Sequence, residues 1–290
     1  MRPFLLVLCC ALFLCCASDA RADNAATDPG APFPGTIGMP RSLALGGADA
    51  AIATSNDAIV TNPAGLAQTQ RYHLEVDGAA DNRFPAQGVM ASIVDSKSAP
   101  VASGILFSRW GSGQPSGRAE GWLLGLAYAY PAGAFFVGGE TKYLRFHTQD
   151  GLVQKVAQDI GLLARRGSLS YAAVVQNISF NALGPLFPLT TTAAVAWGSD
   201  TDWHLALDYK ADLSDTSHIK SKFDGGLEYL FDQAFALRVG GTYDPTNKQA
   251  YFSAGIGILA EIGGVQLAFR RRIEGGFDQV LEAGLTLYLE

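Results

Sequence analysis

Four histidines, His73, His147, His204 and His218, are the side chains best suited to proton transfer or metal binding near neutral pH. None stands at a metal-ligand spacing such as His-x-x-x-His. Ser108 and Ser170 offer no defensible pairing with His204 for a nucleophilic mechanism, and no Gly-x-Ser-x-Gly elbow is present. Gly111-Ser112-Gly113 is rich in glycine but lacks the following helical pattern of a phosphate loop. These residues imply no enzyme, no metal and no cofactor. The remaining chemistry is charge on alternating positions: Glu75, Asp77, Glu140, Lys142, Asp159, Asp208, Lys210, Asp224, Glu228, Arg238, Arg270, Arg272 and Glu282. Both signs occur, so the set can form ion pairs that brace a structure or line a polar path.

Those charges sit on period-two segments. Trp203, Leu205, Leu207 and Tyr209 alternate with His204, Ala206, Asp208 and Lys210. Leu281, Ala283, Leu285, Leu287 and Leu289 alternate with Glu282, Gly284, Thr286 and Tyr288. Alternation puts one set on each face of a strand. From Arg71 to the C-terminus we count 14 such segments, most of 9 to 13 residues. Soluble strands usually run about 5–6 residues, whereas a tilted membrane-crossing strand needs about 9–11. Connections after even-numbered segments are mostly tight, as at Pro131-Ala132, Asp200-Thr201 and Asp232-Gln233, and those after odd-numbered segments are mostly longer, as at 110–118 and 179–187. Short turns on one rim and long loops on the other mark a membrane barrel, with the short rim periplasmic. The segments at 87–109 alternate poorly, which leaves the strand count open by two.

The N-terminus reads as a separate object. Arg2, the apolar run Phe4 to Ala17 and the small-x-small site Ala20-Arg21-Ala22 predict a signal peptide over 1–22. All four cysteines, Cys9, Cys10, Cys15 and Cys16, lie inside it, so the mature chain offers no disulfide or thiol site. Cleavage takes two of the 21 basic and one of the 27 acidic residues, leaving a net charge of −7. That balance disfavours nucleic acid as a partner. No run of 18 apolar residues follows, so no helical span is expected. The fold class is therefore all-β: an antiparallel transmembrane β-barrel of about 14 strands over 71–290, in a bacterial outer membrane with lipid against its apolar face. A secreted β-sandwich accounts for the alternation but not for the strand lengths. Glu282-x-Gly284-x-x-Leu287-x-Leu289 has the form read by barrel-insertion machinery, with Glu290 where an aromatic often ends the signal.

Residues 41–68 differ from all that follows. Leu45-Gly46-Gly47-Ala48, then Ser55-Asn56-Asp57-Ala58, then Thr61-Asn62-Pro63-Ala64-Gly65-Leu66-Ala67, resemble the N-terminal signature of the FadL-like outer-membrane barrels. That superfamily includes long-chain fatty acid and hydrocarbon transporters and the PorV-type proteins. The resemblance spans about 41–290 and is diffuse beyond residue 68. It implies that residues 23–70 form a leader and a plug inside the lumen, with Gly46, Gly47, Asn62, Pro63, Ala64 and Gly65 as the plug motif. A lumen of 14 strands is wider than side chains alone fill, so a filler is physically required. The motif either holds the plug alone or also meets a ligand.

Two functions follow from these features. One is passive uptake or export of small hydrophobic molecules. The other is a PorV-like scaffold that binds secreted or envelope proteins without transport. The charged lumen set, with Glu140, Lys142, Asp208, Lys210, Glu228, Arg238 and Arg270 at its centre, is unlike an apolar conduit. Against it stands an apolar loop with Phe180, Leu183, Leu186 and Phe187. That loop is placed to capture a lipid or grip a partner, or else to fold over the barrel mouth or dip into the membrane interface.

Overall fold

Fourteen strands close on themselves in sequence order. The computed structural model describes residues 39–81, 86–114, 117–148, 151–179, 187–274 and 278–289. The expected signal peptide and most of the leader lie outside these residues. The first seven strands are β1 (Tyr72–Asp81), β2 (Ala86–Asp95), β3 (Ala102–Gln114), β4 (Gly117–Ala132), β5 (Phe135–Thr148), β6 (Gly151–Arg166) and β7 (Leu169–Ile178). The second seven are β8 (Thr190–Gly198), β9 (Trp203–Asp212), β10 (Lys220–Phe231), β11 (Phe235–Asp244), β12 (Gln249–Ala260), β13 (Gly263–Arg272) and β14 (Gln279–Leu289). Each strand pairs antiparallel with its sequence neighbours, and β1 pairs with β14, Tyr72 opposite Leu289, to close the barrel.

The burial along each strand is the reverse of a soluble sandwich. In β9, Leu205, Leu207 and Tyr209 are exposed, while His204, Ala206 and Asp208 are buried. The same inversion holds in β14, where Leu281, Leu285 and Leu287 face outward and Glu282 and Thr286 inward. An apolar outer belt over a closed hydrogen-bonded ladder is the solution that hydrocarbon imposes, since unpaired backbone groups in lipid cost several kcal/mol each. The chain is thus a barrel of the bacterial outer membrane. Aromatic side chains crowd the short-turn rim, as in the Trp197–Trp203 pair at 4.9 Å and the Tyr229–Phe231 pair at 4.5 Å. Such girdles sit at the membrane–water boundary.

Two sequence expectations fail: Pro131 and Ala132 are paired in β4, so the turn lies two residues later than expected, and a loop is replaced by strand. The expected loop at 110–118 is mostly strand: the ladder runs on through Gly111 opposite Glu120 and Ser112 opposite Ala119. Gly and Ser carry no hydrophobic alternation, so the period falls silent although the backbone still pairs. As a result β3 to β6 are long, at 13, 16, 14 and 16 residues, and they raise one side of the wall above the outer rim.

Residues 39–68 pack against the inner face of the wall. Two short helices, α1 (Pro40–Ala44) and α2 (Asp57–Thr61), precede a 3₁₀ helix at Pro63–Gln68. Pro40 fits the first turn of α1, where its missing N–H costs nothing. Helix α1 packs on β11–β14, and the 3₁₀ helix packs on β3–β6 across the lumen. The middle of the segment fits because the facing wall is small: Leu45, Ala48, Ala50, Ala51 and Ile52 meet Ala194, Ala196 and Ala206.

The outward row makes a direct prediction. Leu207→Arg places a cation on the lipid face and should cost about 2–4 kcal/mol if near the midplane. Denaturant unfolding of the barrel refolded into lipid vesicles measures it, and a change within error of wild type would contradict the lipid-facing assignment.

Candidate functional site

The inside segment is held by buried charge. Arg41 on α1 makes a two-pronged contact with Glu228 on β10: Nε donates to Oε2 at 3.0 Å and Nη2 to Oε1 at 2.8 Å. Its remaining nitrogen donates to the Ile52 carbonyl at 3.1 Å and meets Asp57 at 3.4 Å. Arg238 on β11 donates to the same Glu228 at 2.6 Å and to Gln266 on β13 at 2.8 Å. The array is Arg–Glu–Arg with every member buried. An isolated charge there would be very costly, so the partners are mutually required.

Further anchors tie the segment around the wall. Lys210 donates to the Gly47 carbonyl at 2.6 Å and pairs with Asp224 at 2.9 Å. Asp208 accepts from the Ala50 N–H at 3.1 Å, and the Thr242 hydroxyl donates to the Gly46 carbonyl at 2.7 Å. Asn62 caps the 3₁₀ helix by accepting from the Ala64 N–H at 3.1 Å, and its amide donates to the Ala50 carbonyl at 2.9 Å. Gly46 has a φ of +69°, and a Cβ there would stand 2.7 Å from the Gly241 nitrogen. Conformation and close approach both require glycine at that point. Pro63, Ala64 and Gly65 are buried against the wall, with Pro63 and Ala64 lying over Gly138.

On the opposite wall, Lys142 pairs with Asp159 at 2.7 Å and donates to the Asn177 side chain at 2.7 Å. Glu140 sits opposite Asp159 in the ladder and is buried. Arg270 lies over the Tyr251 ring at 5.2 Å. Asp208, Lys210 and Glu228 thus contact the inside segment directly, while Lys142, Asp159, Arg238 and Arg270 bond to the wall itself. Ser55 and His73 also meet through Oγ and Nδ1, a serine–histidine contact that sequence spacing did not suggest. His73 is buried beneath the segment, so this contact serves as a tether to β1.

A second surface was not foreseen. Trp110, Leu123, Leu144 and Phe146 face inward from β3, β4 and β5, all buried near the outer rim. Phe187 turns in to join them, with its ring 6.4 Å from Trp110 and 5.7 Å from Phe146. At 3% exposure it is not offered on the rim. Phe180, Leu183 and Leu186 lie outside the described residues. The lumen is thus uneven: charge is buried on β1, β5, β6, β9, β10, β11 and β14, and the wall is apolar toward the mouth on β3–β5. Leu123, Leu144 and Phe146 are apolar on strands whose outward residues are apolar too, so no polar–apolar alternation marked their inward face.

At the short-turn rim, Asp200 joins wall and segment. It accepts from Arg165 at 2.7 Å and contacts His204 at 3.2 Å, while Arg165 also donates to Gln68 of the segment at 3.0 Å. The hydrogen bond with His204, aided by Arg165, holds the Asp200 carboxyl well below its ordinary range. Among the described residues no group of His, Cys, Asp and Glu is arranged to hold a metal ion.

No protein-family model and no curated protein sequence matches the chain. Solved structures do. The chain is similar to the CymD monoaromatic hydrocarbon channel, with a TM-score of 0.69 at 14% identity over 87% of this chain and 97% of that one. It is similar to the toluene transporter TbuX of Ralstonia pickettii, with a TM-score of 0.66 at 13% identity over 89% and 99%. It is also similar to the toluene transporter TodX of Pseudomonas putida, at 0.63 and 14% identity over 88% and 98%. At such identities the likeness is one of fold alone.

Two outcomes follow from the ion pairs. Arg41→Ala leaves a buried carboxylate short of its partner and should cost about 3 kcal/mol in denaturant unfolding, with part recovered when Glu228→Gln is added. An unchanged midpoint would mean that the pair does not anchor the segment. For Asp200, a lowered carboxyl contributes stability above about pH 4, its unfolded value, and loses it as pH falls toward the folded value. Melting curves from pH 6 to pH 2 should therefore fall less steeply for Asp200→Asn than for wild type.

Proposed function

We propose that the protein transfers small hydrophobic molecules passively across the outer membrane, entering at the apolar mouth and passing an inside segment that acts as a gate. The observation that carries this reading is the inward-facing cluster of Trp110, Leu123, Leu144, Phe146 and Phe187. An ion-conducting pore gains nothing from such a surface, whereas an apolar solute leaving water gains about 25 cal/mol for each Å² it buries. The fold shared with hydrocarbon channels supports the same substrate class. No step in this scheme consumes energy; the solute moves down its own gradient.

Below the mouth the route meets the Lys142–Asp159–Asn177 knot, and there the wall is irregular. The register between β6 and β7 slips between Gln158 and Ile160. Asp159 accepts from the Asn177 N–H at 2.8 Å, and Asn177 has a φ of +63°. A bulge of this kind bends a strand and interrupts pairing. It gives the solute a weak place in the wall beside the inside segment, where sideways release into the membrane costs fewest ladder bonds. The protein-scaffold alternative gains no support from the lumen or from the structural likenesses.

Uptake of a labelled monoaromatic hydrocarbon into cells that depend on this barrel tests the reading. Trp110→Ser with Phe146→Ser should cut the initial rate several-fold while the barrel remains folded by its heat-modifiable gel mobility. An unchanged rate in the folded double variant would overturn the proposed entrance.

A further inference from the structure

The outer wall of β3–β5 carries cations where the apolar belt ends. Arg109, Trp122 and Arg145 are directly opposite one another across the three strands, forming one outward row. The row beneath is Phe107, Leu124 and Tyr143, and the row above holds Glu120 and His147. Trp122 stacks between its aromatic neighbours, 6.4 Å from Phe107 and 5.3 Å from Tyr143. Together Phe107, Arg109, Glu120, Trp122, Arg145 and His147 line an open groove of about 370 Å³.

Height fixes what this groove meets. Trp122 stands ten residues from Ala132, the periplasmic end of β4. At about 3.3 Å per residue and a tilt of about 40°, that is roughly 25 Å, the height of the apolar belt of an outer-membrane barrel. The row thus lies at the outer boundary of the hydrocarbon, among headgroups. Arginines there are costly unless they find an anion, and among the described residues neither guanidinium is in an ion pair. Two strands apart, their backbones are separated by about 10 Å, so two flexible side chains can close on one tetrahedral anion between them. A guanidinium fork matches phosphate in two-pronged geometry. Below it, Ile105, Leu124, Leu126 and Val137 offer an exposed apolar surface for acyl chains.

We propose that this row binds a phosphorylated, multiply acylated glycolipid of the outer leaflet, with Arg109 and Arg145 on a headgroup phosphate and Trp122 against the sugar. The anion and the chains arrive on one molecule, which is why a lipid fits the site and a free anion does not. The site is on the outside of the wall and is independent of what passes through the lumen.

The test uses the full mature barrel in a neutral detergent, titrated with bisphosphorylated lipid A, its dephosphorylated form and inorganic phosphate. Native mass spectrometry reads retained lipid, and melting temperature reads stabilisation. Wild type should retain one lipid A and melt higher, with the dephosphorylated form at least about tenfold weaker and inorganic phosphate giving no shift, as charge-assisted bonds predict. Arg109→Gln with Arg145→Gln should weaken lipid A roughly tenfold or more. The corresponding lysine pair, which keeps charge but loses the fork, should fall between. Gel mobility before and after heating verifies that each variant is folded. Equal retention by wild type and the glutamine pair, equal affinity for the dephosphorylated lipid, or an equal shift with inorganic phosphate would each overturn the proposal.

Discussion

Hydrocarbon accepts no unpaired peptide group, and most of this molecule follows from that constraint. A sheet with an edge cannot stand in the membrane, so β14 must return to β1. Closing fourteen strands produces a ring too wide for its own side chains to fill. The ring therefore holds a segment of its own chain, and a segment with short helices brings many unpaired peptide groups with it. The wall answers those groups one by one: Lys210 takes the Gly47 carbonyl, Thr242 the Gly46 carbonyl, Gln176 the Val60 carbonyl and Asp208 the Ala50 N–H. The polar lumen that looked like a permeation path is largely the complement of this backbone.

The same logic explains why the charge is uneven. Where the segment presents α1 and the chain on either side of Gly46, the wall is charged and hydrogen-bonding. Where the segment falls away, toward the outer mouth on β3–β5, the wall becomes apolar around Trp110 and Phe146. The anchors are mostly buried ion pairs, which add little net stability compared with apolar packing. They do fix one arrangement of segment and wall, and they lose much of their strength as soon as water reaches them. Contacts made this way hold firmly while dry and loosen when the lumen is wetted.

Particular residues show where sequence was enough. Leu205, Leu207 and Tyr209 point outward and His204 and Asp208 inward because period two permits nothing else. Asn62 and Pro63 announce a capped turn, and Gly46-Gly47 a reversal, by chemistry local to each residue. Arg41 was visible but not its role, since Glu228 lies 187 residues away and no pattern links them. The reach of β3 and β4 was hidden by Gly111 and Ser112, which pair without alternating. Phe187 was legible as apolar, but its direction is decided by Trp110 and Phe146, which no sequence spacing links to it.

Arg41 and Glu228 have a consequence for how the molecule is made. The inside segment leads the barrel in the chain, yet its first helix is held by β10 to β14, near the other end. The finished ladder has no gap through which helices pinned to opposite walls can be threaded. Wall and filler must therefore come together while the sheet is still curling, with the segment as the mandrel around which the last strands are wound. Each ion pair made on the way shortens the search by which β14 finds β1, because it spares the chain part of the entropy of joining such distant ends.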